Sequence, residues 1–412
     1  MLNLPEVAVK IGKKKDTGAA PKQCTVLYQT TECFRLLEEA LLYEGMEPPA
    51  GRICTDDNLT GQLTDVQSSL VFIECHEACV EKAKAIKHLV GRQVMAVLVG
   101  WEDKMSVARE IEELGFYYLL WPARKDDIIS LLHHVSEDLN RNYAPNHARS
   151  AMRVGVVGLK GGSGCTLITA ELAYGLARES QQQVILVDHG YTGSNMHIML
   201  GKRDLARSKM TGAMVSHHSL GNSLDHVTVQ SQLAIVEQGI HYLGLESDTL
   251  DPNELYEYNN RVLMALAHDA NFILEDYSAS VKFYPHPKEL CTVVDCVVMV
   301  VQPTLSGLHE SKLFLEQFRD INPGTENPAR LIIVLNHNTE GKQISLNVAE
   351  EFLGQPVDIE LPYCKNAEEF LISGKRFIDG KTRLTGPFLQ LSRQILGKQS
   401  VPKSFFSKWF RT

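Results

Sequence analysis

The residues with the clearest chemical spacing run from Arg153 to Thr166, RVGVVGLKGGSGCT, directly ahead of the helical run LITAELAYGLARES. The four glycines of the turn (Gly158, Gly161, Gly162 and Gly164) let backbone N–H groups converge on one point. The positive end of the helix that opens at Thr166 adds to them, and the combination forms a cradle for phosphate oxygens. Downstream, the apolar run VILV ends on Asp188. A carboxylate at the tip of a buried strand beside such a turn is placed to act on magnesium or on a water. The chemistry expected is therefore nucleotide binding, and the elements that must deliver it are a strand, Val154 to Val157, and the helix that follows the turn.

The strict phosphate-loop pattern G-x-x-x-x-G-K-[ST] fails twice, because Leu159 stands where its first glycine belongs and Cys165 where its lysine belongs. The cation has moved to Lys160. The stretch Lys160, Gly161, Gly162, Ser163, Gly164, Cys165, Thr166 resembles the deviant phosphate loop of the ParA/MinD ATPases. In that superfamily the early lysine reaches across a dimer to the partner's nucleotide. Loss of the second lysine resembles its CpaE/TadZ branch, which positions tight-adherence (Flp) pilus machinery at a cell pole.

The resemblance extends from about residue 150 to 395 and implies ATP and Mg²⁺ as cofactors. Lys160 and the glycine turn would hold the phosphates, and Thr166, Asp188 and Asp276 would hold the metal directly or through water. Asp276 follows NFILE, which aligns with the family's second acidic strand; Tyr277-Ser278 departs from the usual Thr-Pro. Relatives read D-x-D at the second strand, whereas here Asp188 is followed by His189 and Gly190. His189 then either substitutes for the missing carboxylate or packs at a strand end. Asn336, after RLIIVL, falls where MinD-like proteins read the adenine edge; an amide offers both donor and acceptor, and a strand-end turn residue is the rival role. Lys160 and Asp188 are the candidate catalytic residues. Hydrolysis is expected to be weak or absent, because neither Cys165 nor Gly190 can compensate transition-state charge.

Length bounds the architecture: 412 residues exceed one comfortable core. With 44% hydrophobic and 22% charged residues, the composition is that of a globular protein. A net charge of −9 argues against a DNA-binding surface. Nine cysteines without C-x-x-C pairs read as reduced thiols in a cytosolic protein, and no run has signal-peptide or membrane-spanning character.

Two doubly wound α/β domains with parallel sheets are expected. Residues 1–22 read as a flexible lead-in. Strand and helix alternate from 23 to 141, and the polar segment 142–150 is the expected linker. The first domain resembles a response-regulator receiver, with Trp121-Pro122 where that family has Lys-Pro. The receiver's reactive positions read Glu74 or Cys75, Thr30-Thr31-Glu32, Gly100 and Trp121, so phosphotransfer is not expected. Glu74 either mimics a phosphoaspartate or is an ordinary solvated strand-end glutamate. Residues 202–230 read as surface helix and loop with a basic cluster, Lys202, Arg203, Arg207 and Lys209. The second domain spans 151–398.

The tail 399–412 places Phe405, Phe406, Trp409 and Phe410 on one helical face beside Lys403, Lys408 and Arg411. That is the composition of an interfacial membrane anchor, with burial against the chain's own core as the alternative. The resemblance as a whole implies a homodimer working with a pilus-assembly ATPase and other secretion components, peripheral to the inner membrane at a pole. The alternatives are an active positioning or partitioning ATPase and a scaffold with a vestigial phosphate loop.

Overall fold

The computed structural model describes residues 23–55, 58–91, 94–141, 149–202, 204–219, 224–278, 287–325, 328–341 and 344–398. The lead-in, most of the expected linker, Arg203 and the aromatic tail lie outside the described residues. The chain divides into two compact units, one comprising Met1–Cys54, Gln67–Ala83 and Gln93–Ala148, the other Thr55–Val66, Lys84–Arg92 and Arg149–Thr412.

A five-stranded parallel sheet forms the first unit, from β1 (Cys24–Tyr28), β2 (Ala50–Ile53), β3 (Leu70–Cys75), β4 (Met95–Gly100) and β5 (Tyr117–Leu120) in the order β2-β1-β3-β4-β5. Strands β3 and β4 read LVFIEC and MAVLVG, and every residue of both is buried. Strands covered on both faces carry continuous apolar runs of this kind. The order reverses between β1 and β3, so the carboxyl ends of those two strands form the crevice where doubly wound sheets place their sites.

The second unit carries β6 (Met152–Gly158), β7 (Val184–Asp188), β8 (Ser208–Lys209), β9 (Ala234–Glu237), β10 (Ile240–Glu246), β11 (Phe272–Tyr277), β12 (Cys296–Val301), β13 (Arg330–Asn336) and β14 (Ile359–Leu361). Their order is β14-β13-β12-β6-β11-β7-β10-β8, with β9 paired to β10. The fold class is thus α/β with parallel sheets, as expected, apart from one edge. There β9 runs antiparallel to β10 across a Gln238-Gly239 turn. The expectation of surface helix and loop over 202–230 holds for two short helices, Gly212–Ser219 and His226–Gln230, but the segment also supplies β8, which pairs with the end of β10.

Strand β6 lies between β11 and β12, and its glycine turn leads into the helix Cys165–Ser180. That helix is apolar nearly all round, with eleven of its sixteen residues buried, which is the signature of a helix enclosed by other elements. Two contacts fasten it to the C-terminal part of the unit. The buried Glu171 carboxylate accepts from the backbone amides of Phe377 (3.1 Å) and Ile378 (2.9 Å). A Cβ at Gly175 would collide with the Ser392 hydroxyl, so the helix Thr385–Ile395 packs directly on its backbone. All nine cysteines are free thiols, eight of them buried. Among the described residues no helix is long and apolar enough to cross a membrane.

Candidate functional site

The turn after β6 is held in shape by left-handed glycines at Gly162 (φ +76°) and Gly164 (φ +86°), the latter capping the following helix. A side chain at Gly164 would be strained by its φ and would collide with the Asn336 amide nitrogen. Two asparagines from the end of β13 close over the turn. Asn336 Nδ2 donates to the Ser163 carbonyl at 2.7 Å, and Asn338 Nδ2 donates to the Gly162 carbonyl. These bonds occupy carbonyl groups of the turn, whose Ser163 amide donates back to the Lys160 carbonyl at 3.2 Å.

That cleft measures about 590 Å³ and is lined by Lys160, Gly162, Ser163, Gly164, Cys165, Thr166 and Asn336, with His337, Asn338, Pro362 and Tyr363 at its other side. The structure therefore brings together the loop, its single lysine and the residue aligned with base recognition. Lys160 is half-buried, and its ammonium group has no hydrogen-bond or ion-pair partner among the described residues. Gly161 is exposed on the turn.

Beneath the turn lie the two carboxylates. Asp276 and Asp188 face each other in register on β11 and β7, and each is 2% exposed. Thr166 Oγ1 donates to Asp276 Oδ2 at 2.8 Å, and Cys165 Sγ lies 3.2 Å from Asp276 Oδ1 and 3.1 Å from the Val156 carbonyl. The Cys165 side chain thus points down into the sheet. Burial pushes the Cys165 thiol well above its usual range, with the Asp276 charge adding to the effect, so it remains a neutral donor. Burial, and then repulsion from Asp188, push the Asp276 carboxyl up to about 7. Asp188 accepts from the Gly190 amide at 2.8 Å and from the Tyr242 hydroxyl at 2.9 Å.

Two buried carboxylates side by side repel each other, and this is the environment a divalent metal relieves. Among the described residues no three His, Cys, Asp or Glu side chains cluster to hold a metal by themselves. The donor set fits Mg²⁺ all the same, since that ion is usually held by one or two carboxylates together with water and substrate phosphates.

His189 is not a substitute for the missing carboxylate. It is 0% exposed, with Nε2 3.0 Å from Glu275 Oε2 and Nδ1 2.7 Å from the Tyr191 hydroxyl. The local sequence did not reveal the partners Glu275, Tyr242 and Asn338. Each acts across strands, and only the unusual pairing of two acids, Glu275-Asp276, at a strand end hinted at one of them.

In the first unit the solvated reading of Glu74 is corrected. The residue is 2% exposed at the crevice between β1 and β3. It accepts from the amides of Gln29 (2.6 Å) and Thr30 (2.9 Å) and from the Thr30 hydroxyl (2.6 Å), and His76 Nε2 lies 2.9 Å away. Both carboxylate oxygens are filled by the protein's own donors. The His76 ring in turn lies against Trp101, with centroids 4.0 Å apart.

No family model matches this chain, and no curated protein matches it. Among solved structures it is similar to a ParA family ATPase from Chlorobium tepidum TLS, with 19% identity and a TM-score of 0.47 over 59% of this chain and 99% of that one. It is similar to MinD from Pyrococcus horikoshii OT3 complexed with Mg-ADP, with 18% identity and a TM-score of 0.44 over 63% and 99% of the two chains. Similarity to the MinC:MinD complex of Aquifex aeolicus is 18%, with a TM-score of 0.47 over 61% and 98%.

Proposed function

We propose that the second unit is a nucleotide-binding domain of the ParA/MinD type that holds ATP and Mg²⁺ and hydrolyses ATP weakly or not at all. The observation that carries this reading is the Thr166–Asp276 hydrogen bond beneath a turn whose lysine, Lys160, lines the same cleft with an ammonium group that has no partner among the described residues. Lys160 and residues 161–166 hold the phosphates, Asn336 borders the base, and Thr166, Asp188 and Asp276 hold the metal. When bound, Mg²⁺ supplies charge neutralisation at the phosphates.

Slow turnover follows from what the chain lacks. Cys165 is neutral and turned into the sheet, and His189 is sealed away from the cleft, so transition-state charge has few compensating groups. Within this reading the chain acts as a homodimer in which Lys160 serves the partner's nucleotide. Its role is that of a CpaE/TadZ-like assembly factor for tight-adherence pili, at a cell pole beside the inner membrane, working with a pilus-assembly ATPase.

Calorimetric titration with ATP and Mg²⁺ tests the core of the proposal. Heat of binding that is lost in Lys160→Ala supports it, and no heat together with no thermal shift overturns it. A scaffold with a vestigial loop is the second reading. It is favoured by the Cys165 thiol beside Asp276 and by the two asparagines already bonded to the turn.

A further inference from the structure

Strand neighbours of the two aspartates build a second arrangement on the other side of the sheet, since side chains alternate along a strand. Glu275, just before Asp276, is 0% exposed. Its Oε1 accepts from Arg153 Nε at 2.8 Å, with Arg153 Nη2 also 2.8 Å away. Its Oε2 accepts from the Tyr277 hydroxyl at 2.8 Å and lies 3.0 Å from His189 Nε2. The His189 ring stacks on Tyr277 with centroids 4.4 Å apart, and Asn259 Nδ2 donates to Tyr191 OH, the other partner of His189.

One carboxylate therefore bonds Arg153 on β6, Tyr277 on its own strand β11, and His189 just past the end of β7. These three strands lead respectively into the glycine turn, to Asp276 and to Asp188. Stability alone does not account for such a group. Buried ion pairs are commonly matched or bettered by apolar residues of similar volume, and their best-attested use is to fix a register.

We propose that Glu275 is a positioning residue for the metal site: by tying Arg153, near the start of β6, and His189, just past the end of β7, to β11, it sets the register in which Asp188 and Asp276 meet a cation. The inference rests on the nucleotide and magnesium reading above, and the experiment separates the two. ATP affinity of the full chain is measured calorimetrically with Mg²⁺ and with EDTA, for wild type, Glu275→Gln and Tyr277→Phe.

Wild type is expected to bind more tightly with Mg²⁺. Glu275→Gln should cut that metal-dependent gain about tenfold, the effect typical of residues that orient metal ligands, while affinity in EDTA stays within about twofold. Tyr277→Phe, which removes one donor and keeps the ring, should reduce the gain in the same direction by a smaller factor. An undiminished gain in folded Glu275→Gln overturns the inference, as does a parallel loss with and without metal, which marks a purely structural role. Should Glu275→Gln not fold, an undiminished gain in Tyr277→Phe overturns it instead. If wild type itself binds no nucleotide, the parent reading falls and takes this one with it.

Discussion

The side-chain amide of Asn336 donates to the carbonyl oxygen of Ser163 at 2.7 Å, so the end of β13 clamps the glycine turn that follows β6. The two strands are not adjacent, because β12 lies between them. The clamp therefore depends on the whole centre of the sheet being assembled, and several outcomes can be derived from it and from the acids below.

Gly164→Ala should disrupt the clamp. The new methyl meets the Asn336 amide, and φ at this position is +86°. A loss of about 1–3 kcal/mol is expected, read by denaturant unfolding. Adding Asn336→Ala should recover only part of it, since the clash is relieved and the backbone strain is not.

Asp276→Asn should have opposite effects with and without metal. The Asp276 carboxyl, raised to about 7, keeps a proton in the folded chain that the unfolded chain releases at lower pH. The folded state thus binds the extra proton between roughly pH 4 and pH 7, and stability is lost as pH rises through that window. In metal-free thermal melts the asparagine variant should exceed wild type at pH 8 and match it near pH 4. With ATP and Mg²⁺ the order should reverse if Asp276 holds the metal as proposed, because the variant would then have lost a ligand.

Cys165→Lys restores the missing loop cation. If Cys165 is what limits phosphate charge compensation, the variant should bind ATP at least tenfold more tightly at low ionic strength, an effect of about 1.4 kcal/mol, measured by calorimetry. Cys165→Ser, which keeps a small donor toward Asp276, should leave affinity nearly unchanged.

In the first unit, Glu74→Ala strips the amides of Gln29 and Thr30 of their acceptor. Leaving a fully buried donor unsatisfied costs about 1–3 kcal/mol and these half-buried amides less, so hydrogen exchange at the end of β1 should accelerate. Neither wild type nor the variant should acquire a phosphoryl group from acetyl phosphate, because no aspartate stands at the end of β3.

What the sequence disclosed follows the range of the forces involved. Alternating apolar runs and glycine punctuation are local, and they announced both sheets, the phosphate-type turn and the strand-end acids Asp188 and Asp276. The β9–β10 hairpin escaped because its first strand is four residues long and its turn signal is a single Gln-Gly pair. The burial of His189, the filling of Glu74 and the bond from Tyr242 to Asp188 were not legible. Each depends on which strands become neighbours, and strand order is a property of the whole sheet.

The carboxylate of Glu171 carries a mechanical consequence. It suspends the amides of Phe377 and Ile378 from the same helix whose first turn looks into the cleft, while Ser392 rests against the bare backbone of Gly175. Any rigid displacement of that helix by a ligand at its amino end must drag residues 377–395 along as one lever. Events at the glycine turn would thereby reach the helix Thr385–Ile395 with no separate relay.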